Sequence, residues 1–312
     1  MSRYKGRPGC YQPGLEYYLR RKPEGGDLRD PGEMRPSGSD RDARRECLVL
    51  VHGYNNHEGE AAEAYLGFRD RQYAHFGNLQ PRSLEKLFGD AFWPGDADWA
   101  GPIDWVDFLF YPVAVGVAKA GAPRLADLIG KLPALEQVDF IGHSLGCRLV
   151  LETAAKLHAS GRPRIGRICL MAAAVPCEMV EPGGRFEPLL LALQAGDTKV
   201  HVLHSKKDSV LKYAFPLGQP LAGEPTRGAL GRFGPPVDMP GRGHTVTDRR
   251  IAGADHGHYW GHAGNYASEE ATREAGEFFK IGGTPARGIA SRADAEIREI
   301  GSDREIDGEL GW

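Results

Sequence analysis

The chain has 312 residues, of which 41% are hydrophobic and 26% charged. That is ordinary usage for a globular protein with enough length to bury a full core. A formal net charge of −3 excludes a general polyanion binder, so no nucleic-acid partner is expected. The longest nearly apolar run, residues 108–118, carries Pro112 and Gly116 and falls far short of the roughly 20 residues a spanning helix needs, so no integral membrane segment is expected. The opening MSRYKGRPG is basic, but no apolar stretch follows it. The expectation is a chain without a secretory leader, hence cytoplasmic. Five cysteines in a chain of this length fit free, mostly buried thiols better than a disulfide framework.

Residues 1–45 hold 11 Lys or Arg against 7 Asp or Glu and many Gly and Pro. They read as a polar arm outside the core. Residues 46–281 alternate between two periodicities. Cys47–Val51 (CLVLV) reads as a strand. Residues 60–76 read as a helix with Ala61, Ala64, Tyr65 and Phe68 on one face. Residues 91–93 and 107–111 are strand candidates, and residues 116–129 are helical. Gln137–Ile141 (QVDFI) is a strand that runs into GHSLG. A helix over 145–159 closes at Gly161, followed by a buried strand over 165–174, a helix over 186–193 and the strand KVHVLH at 199–204. Residues 216–243 form a long Gly- and Pro-rich excursion with no element of their own. A last helix spans 265–279. Residues 282–312 are a polar tail, with a short amphipathic helix near 291–300. Strands alternating with helices predict one α/β domain with a mostly parallel sheet covered on both faces. No phosphate loop and no GxGxxG after a strand occurs, so nucleotide chemistry has no support.

The strongest chemical signal is Gly142-His143-Ser144-Leu145-Gly146. An apolar strand precedes it and an apolar-faced helix follows, which is the setting of a nucleophile elbow rather than of an incidental serine. The turn is crowded, so side chains at 142 and 146 would clash. Ser144 then stands at the C-terminal edge of the sheet beside a helix N-terminus, where partial positive charge favours an oxyanion. The second signal is His52-Gly53-Tyr54-Asn55-Asn56 after the strand CLVLV. A bend there aims a backbone N–H at the nucleophile. The N–H groups of Tyr54 and Leu145 are the expected oxyanion hole, with His52 as a support of the loop. A metal-binding loop at HGYNNH lacks thiols and a carboxylate constellation.

These residues resemble the α/β-hydrolase superfamily. They also resemble a narrower bacterial group of α/β-hydrolase-fold proteins with HG[FY]N, WP and HS[LM]G motifs. The matching segments are VHGYNN at 51–56, FWPGD at 92–96, GHSLGCR at 142–148, SKKDSVL at 205–211, GALGRFGP at 228–235 and DHGHYW at 255–260. The resemblance covers residues 46–280 and implies an α/β-hydrolase fold and a serine hydrolase without naming a substrate.

A serine hydroxyl needs a base held by an acid, and the superfamily order is Ser, acid, His. Asp208, four residues past the strand KVHVLH, is the expected acid, with Glu178 and Glu181 in reserve. His256 is the expected base. His258 is the alternative, and His244 is a more distant one. The cluster Asp255, His256, His258 and His262 also has a spacing a metal accepts, but a serine nucleophile needs no metal, so neither metal nor cofactor is expected. The aromatics Phe92, Trp93, Trp99, Trp105, Phe108 and Tyr111 read as core packing or as an acyl pocket, and residues 215–254 read as a lid. The resulting expectation is a serine hydrolase that cleaves a small-molecule carboxylic ester through an acyl-enzyme. An acyltransferase or thioesterase uses the same triad. A binding protein that merely keeps the fold is the rival from another class.

Overall fold

The computed structural model describes residues 14–23, 27–76, 87–95, 107–225 and 227–281, the side chains of 39 and 107–110 excepted. Eight strands form one sheet: β1 (Leu15–Arg20), β2 (Leu28–Arg35), β3 (Glu46–Val51), β4 (Phe88–Phe92), β5 (Gln137–His143), β6 (Arg164–Met171), β7 (Lys199–His204) and β8 (Val246–Arg250). Their order is β2-β1-β4-β3-β5-β6-β7-β8. The β1–β2 pair is antiparallel and every other pair is parallel. The central strand β3 is apolar on both faces, as in a doubly covered parallel sheet: it buries every residue from Cys47 to Val51.

Five longer helices supply the cover: α1 (Glu58–His75), α2 (Asp107–Gly130), α3 (Gly146–Ser160), α4 (Glu187–Ala195) and α5 (Tyr266–Phe279). The chain steps from β3 to β4 in one direction, then returns past β3 to β5 and continues to β8. Right-handed crossovers therefore put α1 on one face and α2, α3 and α4 on the other. The packing agrees, since α2 lies on α3, α3 touches α4, and α1 lies on α5. Local chemistry sets the helix limits. Gly161 ends α3 in the left-handed region at φ 78°, and its N–H caps the carbonyls of Leu157 and His158. The Asn265 side chain accepts from Ser268 N to start α5. This is the α/β-hydrolase fold. The reversal between β3 and β5 opens a crevice beyond their C-terminal ends, the usual ligand position in open α/β sheets.

Three expectations are corrected. The segment expected to be a polar arm, residues 1–45, contains β1 and β2. LEYYLR alternates Leu15, Tyr17 and Leu19 inward, all fully buried. That period of two is short and sits among Gly, Pro and Arg, which masks it. Residues 107–111 begin α2 rather than a strand, since an apolar run is ambiguous by period alone and here it continues into the helix. The excursion 216–243 is not bare of structure: it holds short helices at Phe215–Leu221 and Leu230–Phe233, and β8 follows. That strand, VTDRR, exposes four of its five residues, so no apolar pattern marks it. Trp99, Trp105, Cys10 and the tail from 282 lie outside the described residues. Cys47, Cys147, Cys169 and Cys177 are free. Among the described residues no helix is long and apolar enough to cross a membrane.

The hairpin carries a consequence for truncation. Burying a Leu- or Tyr-sized side chain contributes about 1.5–3 kcal/mol, and three such residues rival the ~5–15 kcal/mol net stability of a domain. A chain beginning at residue 44 also bares the β4 edge. We expect it to aggregate or to lose its cooperative thermal transition by circular dichroism. A transition like that of the full chain would return the hairpin to a dispensable arm.

Candidate active site

Ser144 follows β5 directly and takes φ 53°, a left-handed backbone that a non-glycine residue rarely adopts. Close packing on both sides accounts for the turn's two glycines. A Cβ on Gly146 would lie 2.2 Å from the carbonyl oxygen of His52, and one on Gly142 would lie 2.9 Å from Cα of Cys147. Backbone hydrogen bonds hold the turn in place. Ser144 N donates to Met171 O at 3.0 Å, and Ala174 N donates to Ser144 O at 3.1 Å. The elbow is thereby fastened to the exit of β6.

Two loops meet at the serine. Asp208, fully buried beyond β7, accepts from Leu211 N at 2.8 Å through Oδ1. Its Oδ2 accepts from His256 Nδ1, also at 2.8 Å. With the proton on Nδ1, the ring's Nε2 is an acceptor, and it lies 2.8 Å from Ser144 Oγ. The structure thus brings Ser144, His256 and Asp208 into one hydrogen-bonded chain. His258 does not reach the serine; its Nδ1 accepts from Asp255 N at 3.1 Å. Glu178 and Glu181 are taken up by Arg227, whose backbone N donates to Glu178 at 2.7 Å and whose guanidinium pairs with Glu181. His244 lies in a turn, its N–H donating to Gly241 O. His256 thus commits both ring nitrogens, Nδ1 to Asp208 and Nε2 to Ser144. Among the described residues no group of His, Cys, Asp or Glu is arranged to hold one.

The loop after β3 is built around His52. Its Nδ1–H donates to Gly53 O at 2.9 Å, and its ring stacks on Trp93 with centroids 5.6 Å apart. The Trp93 indole donates to His52 O at 2.9 Å. Tyr65 of α1 accepts from His52 N at 2.8 Å and donates to Ala91 O at 2.6 Å. A Cβ on Gly53 would sit 2.8 Å from Cβ of Ser144, so this loop presses on the elbow. Tyr54 borders the same cavity as Ser144, and Leu145 stands at the N-terminus of α3. The GALG segment serves the scaffold. Leu230 N and Gly231 N donate to Val175 O and Ala173 O at 2.8 and 2.9 Å, which ties residues 229–231 to the exit of β6.

Ser144 and His256 open into a cavity of about 250 Å³, walled by Tyr111, Ala174, Leu211 and Phe215 among others. Of the aromatic cluster, Phe92 and Trp93 are core, and Tyr111 alone among the described members borders this cavity. Tyr111 is pinned by Gln219, whose amide donates to its hydroxyl at 2.9 Å.

Two contributors were not anticipated. Asp255 joins the two loops: its Oδ1 accepts from Ser209 N at 2.9 Å, Ser209 Oγ at 2.8 Å and His256 N at 2.8 Å. Burial favours its neutral form, but these hydrogen bonds prevail and hold its carboxyl below the usual carboxylate range. His143 is the second. Its Nε2–H donates to His256 O at 2.8 Å, and its ring lies 5.0 Å from that of His256. Burial, with the neighbouring His256 next, pushes its pKa down to about 3. A contact from the residue just before the serine to a carbonyl 113 positions away has no local sequence signal.

The neutral His143 gives a signed pH dependence. The unfolded chain binds a proton here below about 6.5, whereas the folded protein resists until about 3. Stability is therefore complete above about pH 6.5 and falls as the solution is acidified through that window, by at most about 1.4 kcal/mol per pH unit for one proton. His201, pushed down to about 4 by burial, adds to the same slope. Urea titrations at several pH values between about 6.5 and 5 should show a shallower slope for His143→Gln than for the parent chain. Equal slopes would contradict a buried neutral imidazole at 143.

No family model matches the chain, and no curated protein matches its sequence. Among solved structures it is similar to an esterase from Pyrobaculum calidifontis, at 16% identity over 80% of this chain and 78% of that one, with a TM-score of 0.43. It is also similar to EstE1, a thermophilic carboxylesterase cloned from a metagenomic library, at 15% identity over 79% and 83%, TM-score 0.40. A third is RedJ, a thioesterase of the prodiginine biosynthetic pathway in Streptomyces coelicolor, at 12% identity over 78% and 89%, TM-score 0.40.

Proposed function

We propose that the protein is a serine hydrolase that cleaves a carboxylic ester through an acyl-enzyme. The observation that carries this reading is the chain Ser144–His256–Asp208, with 2.8 Å at each link, at the floor of an apolar cavity. Ser144 Oγ attacks the ester carbonyl as His256 Nε2 takes its proton. Asp208 holds the ring in that tautomer and stabilises the imidazolium. The N–H groups of Tyr54 and Leu145 receive the oxyanion, aided by the positive end of α3. The imidazolium returns its proton to the leaving alkoxide. Water, activated by the same base, then attacks the acyl-enzyme and releases the acid. No cofactor enters these steps. A thioester or a non-water acceptor would use the same groups. The order of the HGYN, WP and HSLG segments further supports kinship with the bacterial group that shares those motifs.

A fluorophosphonate should label Ser144 alone, and Ser144→Ala should fold yet remain unlabelled, by peptide mass spectrometry. Label on another serine would remove the assignment. Asp208→Asn should keep the fold and cut turnover of an activated ester by as much as about 10⁴. Near-full turnover would show that the carboxylate at 208 does not serve the imidazole. Steady-state assays should also separate the two histidines: His256→Ala loses most turnover, while His258→Ala chiefly lowers the melting temperature. The reverse outcome would move the base to His258.

A further inference from the structure

The segment after Asp208 is apolar on two sides. A π-helical turn, Val210–Ala214, runs into the short helix Phe215–Leu221. Leu211, Ala214 and Phe215 face inward and wall the cavity. The outward side is also apolar: Val210 is 38% exposed, Tyr213 63%, Leu217 66% and Leu221 60%. Tyr213, Leu217 and Leu221 recur at spacings of four, which keeps them on one side of the helical path, and Val210 opens the same π turn. Phe233, 52% exposed, extends the patch from the short helix that touches the π turn. Scattered exposed apolar residues need no explanation, but a contiguous group of large ones does.

Two observations choose the occupant. The first is charge. Over residues 205–223 the exposed charges are Lys206, Lys207 and Lys212, and the lone acid, Asp208, is fully buried. Lys212 Nζ also lies 4.7 Å from the centroid of the Tyr213 ring, so basic and aromatic groups share the face. Apolar side chains with lysines at one end and a tyrosine among them match the headgroup region of an anionic bilayer better than a neutral protein surface. The second is continuity with the site. Val210 is both part of the outward face and part of the cavity wall that holds Ser144 and His256. A chain drawn from a surface pressed on this face therefore meets the cavity mouth.

We infer that residues 206–221 form a docking face for an anionic phospholipid surface, from which the site takes esters with an apolar acyl chain. The statement about substrate rests on the ester reading above. The statement about surface binding does not, and the two are tested apart. The full chain carrying Ser144→Ala, which hydrolyses nothing, is sedimented with vesicles of phosphatidylcholine alone or mixed with phosphatidylglycerol. It should bind the mixed vesicles in a salt-sensitive way and the neutral ones weakly. Adding Lys206→Ala, Lys207→Ala and Lys212→Ala should weaken binding to mixed vesicles by about a hundredfold, since each basic residue near such a surface contributes about fivefold. Adding Tyr213→Ser and Leu217→Ser instead should weaken it at least about tenfold. Binding that ignores either set of substitutions, or no binding to either vesicle, overturns the inference. So does a dimer in light scattering that the Tyr213→Ser, Leu217→Ser pair disperses, because a second copy would then be the occupant. Circular dichroism melts of each variant separate lost binding from lost folding.

Discussion

The backbone of Ser144 at φ 53° is the constraint on which the site depends. A non-glycine residue held there costs about 1–3 kcal/mol, so the surroundings must over-determine it. They do so from three sides. The His52 carbonyl leaves no room for a Cβ at 146, the body of α3 leaves none at 142, and Met171 at the end of β6 and Ala174 just beyond it both hydrogen-bond the serine backbone. The strained turn brings β5 and α3 together so closely that the serine side chain is left at the crevice beyond the sheet. Its neighbour Leu145 is at the same time set at the helix N-terminus.

The second dependence is between loops that leave different strands. Asp208 comes after β7 and His256 after β8, and neither position is fixed by the sheet alone. Asp255 binds Ser209, next to Asp208, and the backbone N–H of His256. His143 binds the carbonyl of His256 from the side of the elbow. The imidazole is thus held by its own backbone at both N–H and C=O, and its ring is free to serve the serine and the aspartate. Tyr259 and Trp260, both buried, anchor the far end, with Trp260 edge-on to Tyr65 and Phe68.

Much of this was legible in the chain. The strand, GHSLG and amphipathic helix specify one local geometry, because the glycines answer a crowding that other residues cannot meet. CLVLV reads as a strand because both of its faces are apolar, and QVDFI and KVHVLH read as strands because apolar residues recur at every second position. The chain order of Ser144, Asp208 and His256 picked out three residues that the fold does bring together. What was not legible has physical causes. β1 relies on three alternating residues in a polar context, and β8 is an edge strand whose side chains face solvent, so neither shows an apolar run. The 107–111 segment is an apolar run whose period does not separate strand from helix, and it opens α2. Asp255 and His143 act through contacts between segments distant in sequence. Residues 216–221 read in sequence as the start of a Gly- and Pro-rich excursion, so the apolar outer face at 210–221 shows only in the structure.

The central claim is that Ser144 carries the acyl group during turnover. It is tested most directly by mixing the protein with an activated butyrate ester, quenching with acid within the first turnovers, and mapping the peptides by mass spectrometry. The account predicts a butyryl increment on Ser144 that accumulates with a burst of released alcohol and is absent from the His256→Ala protein. Turnover of the ester with the acyl group on another residue, or a direct displacement by water with no acylated peptide at any quench time, would contradict it.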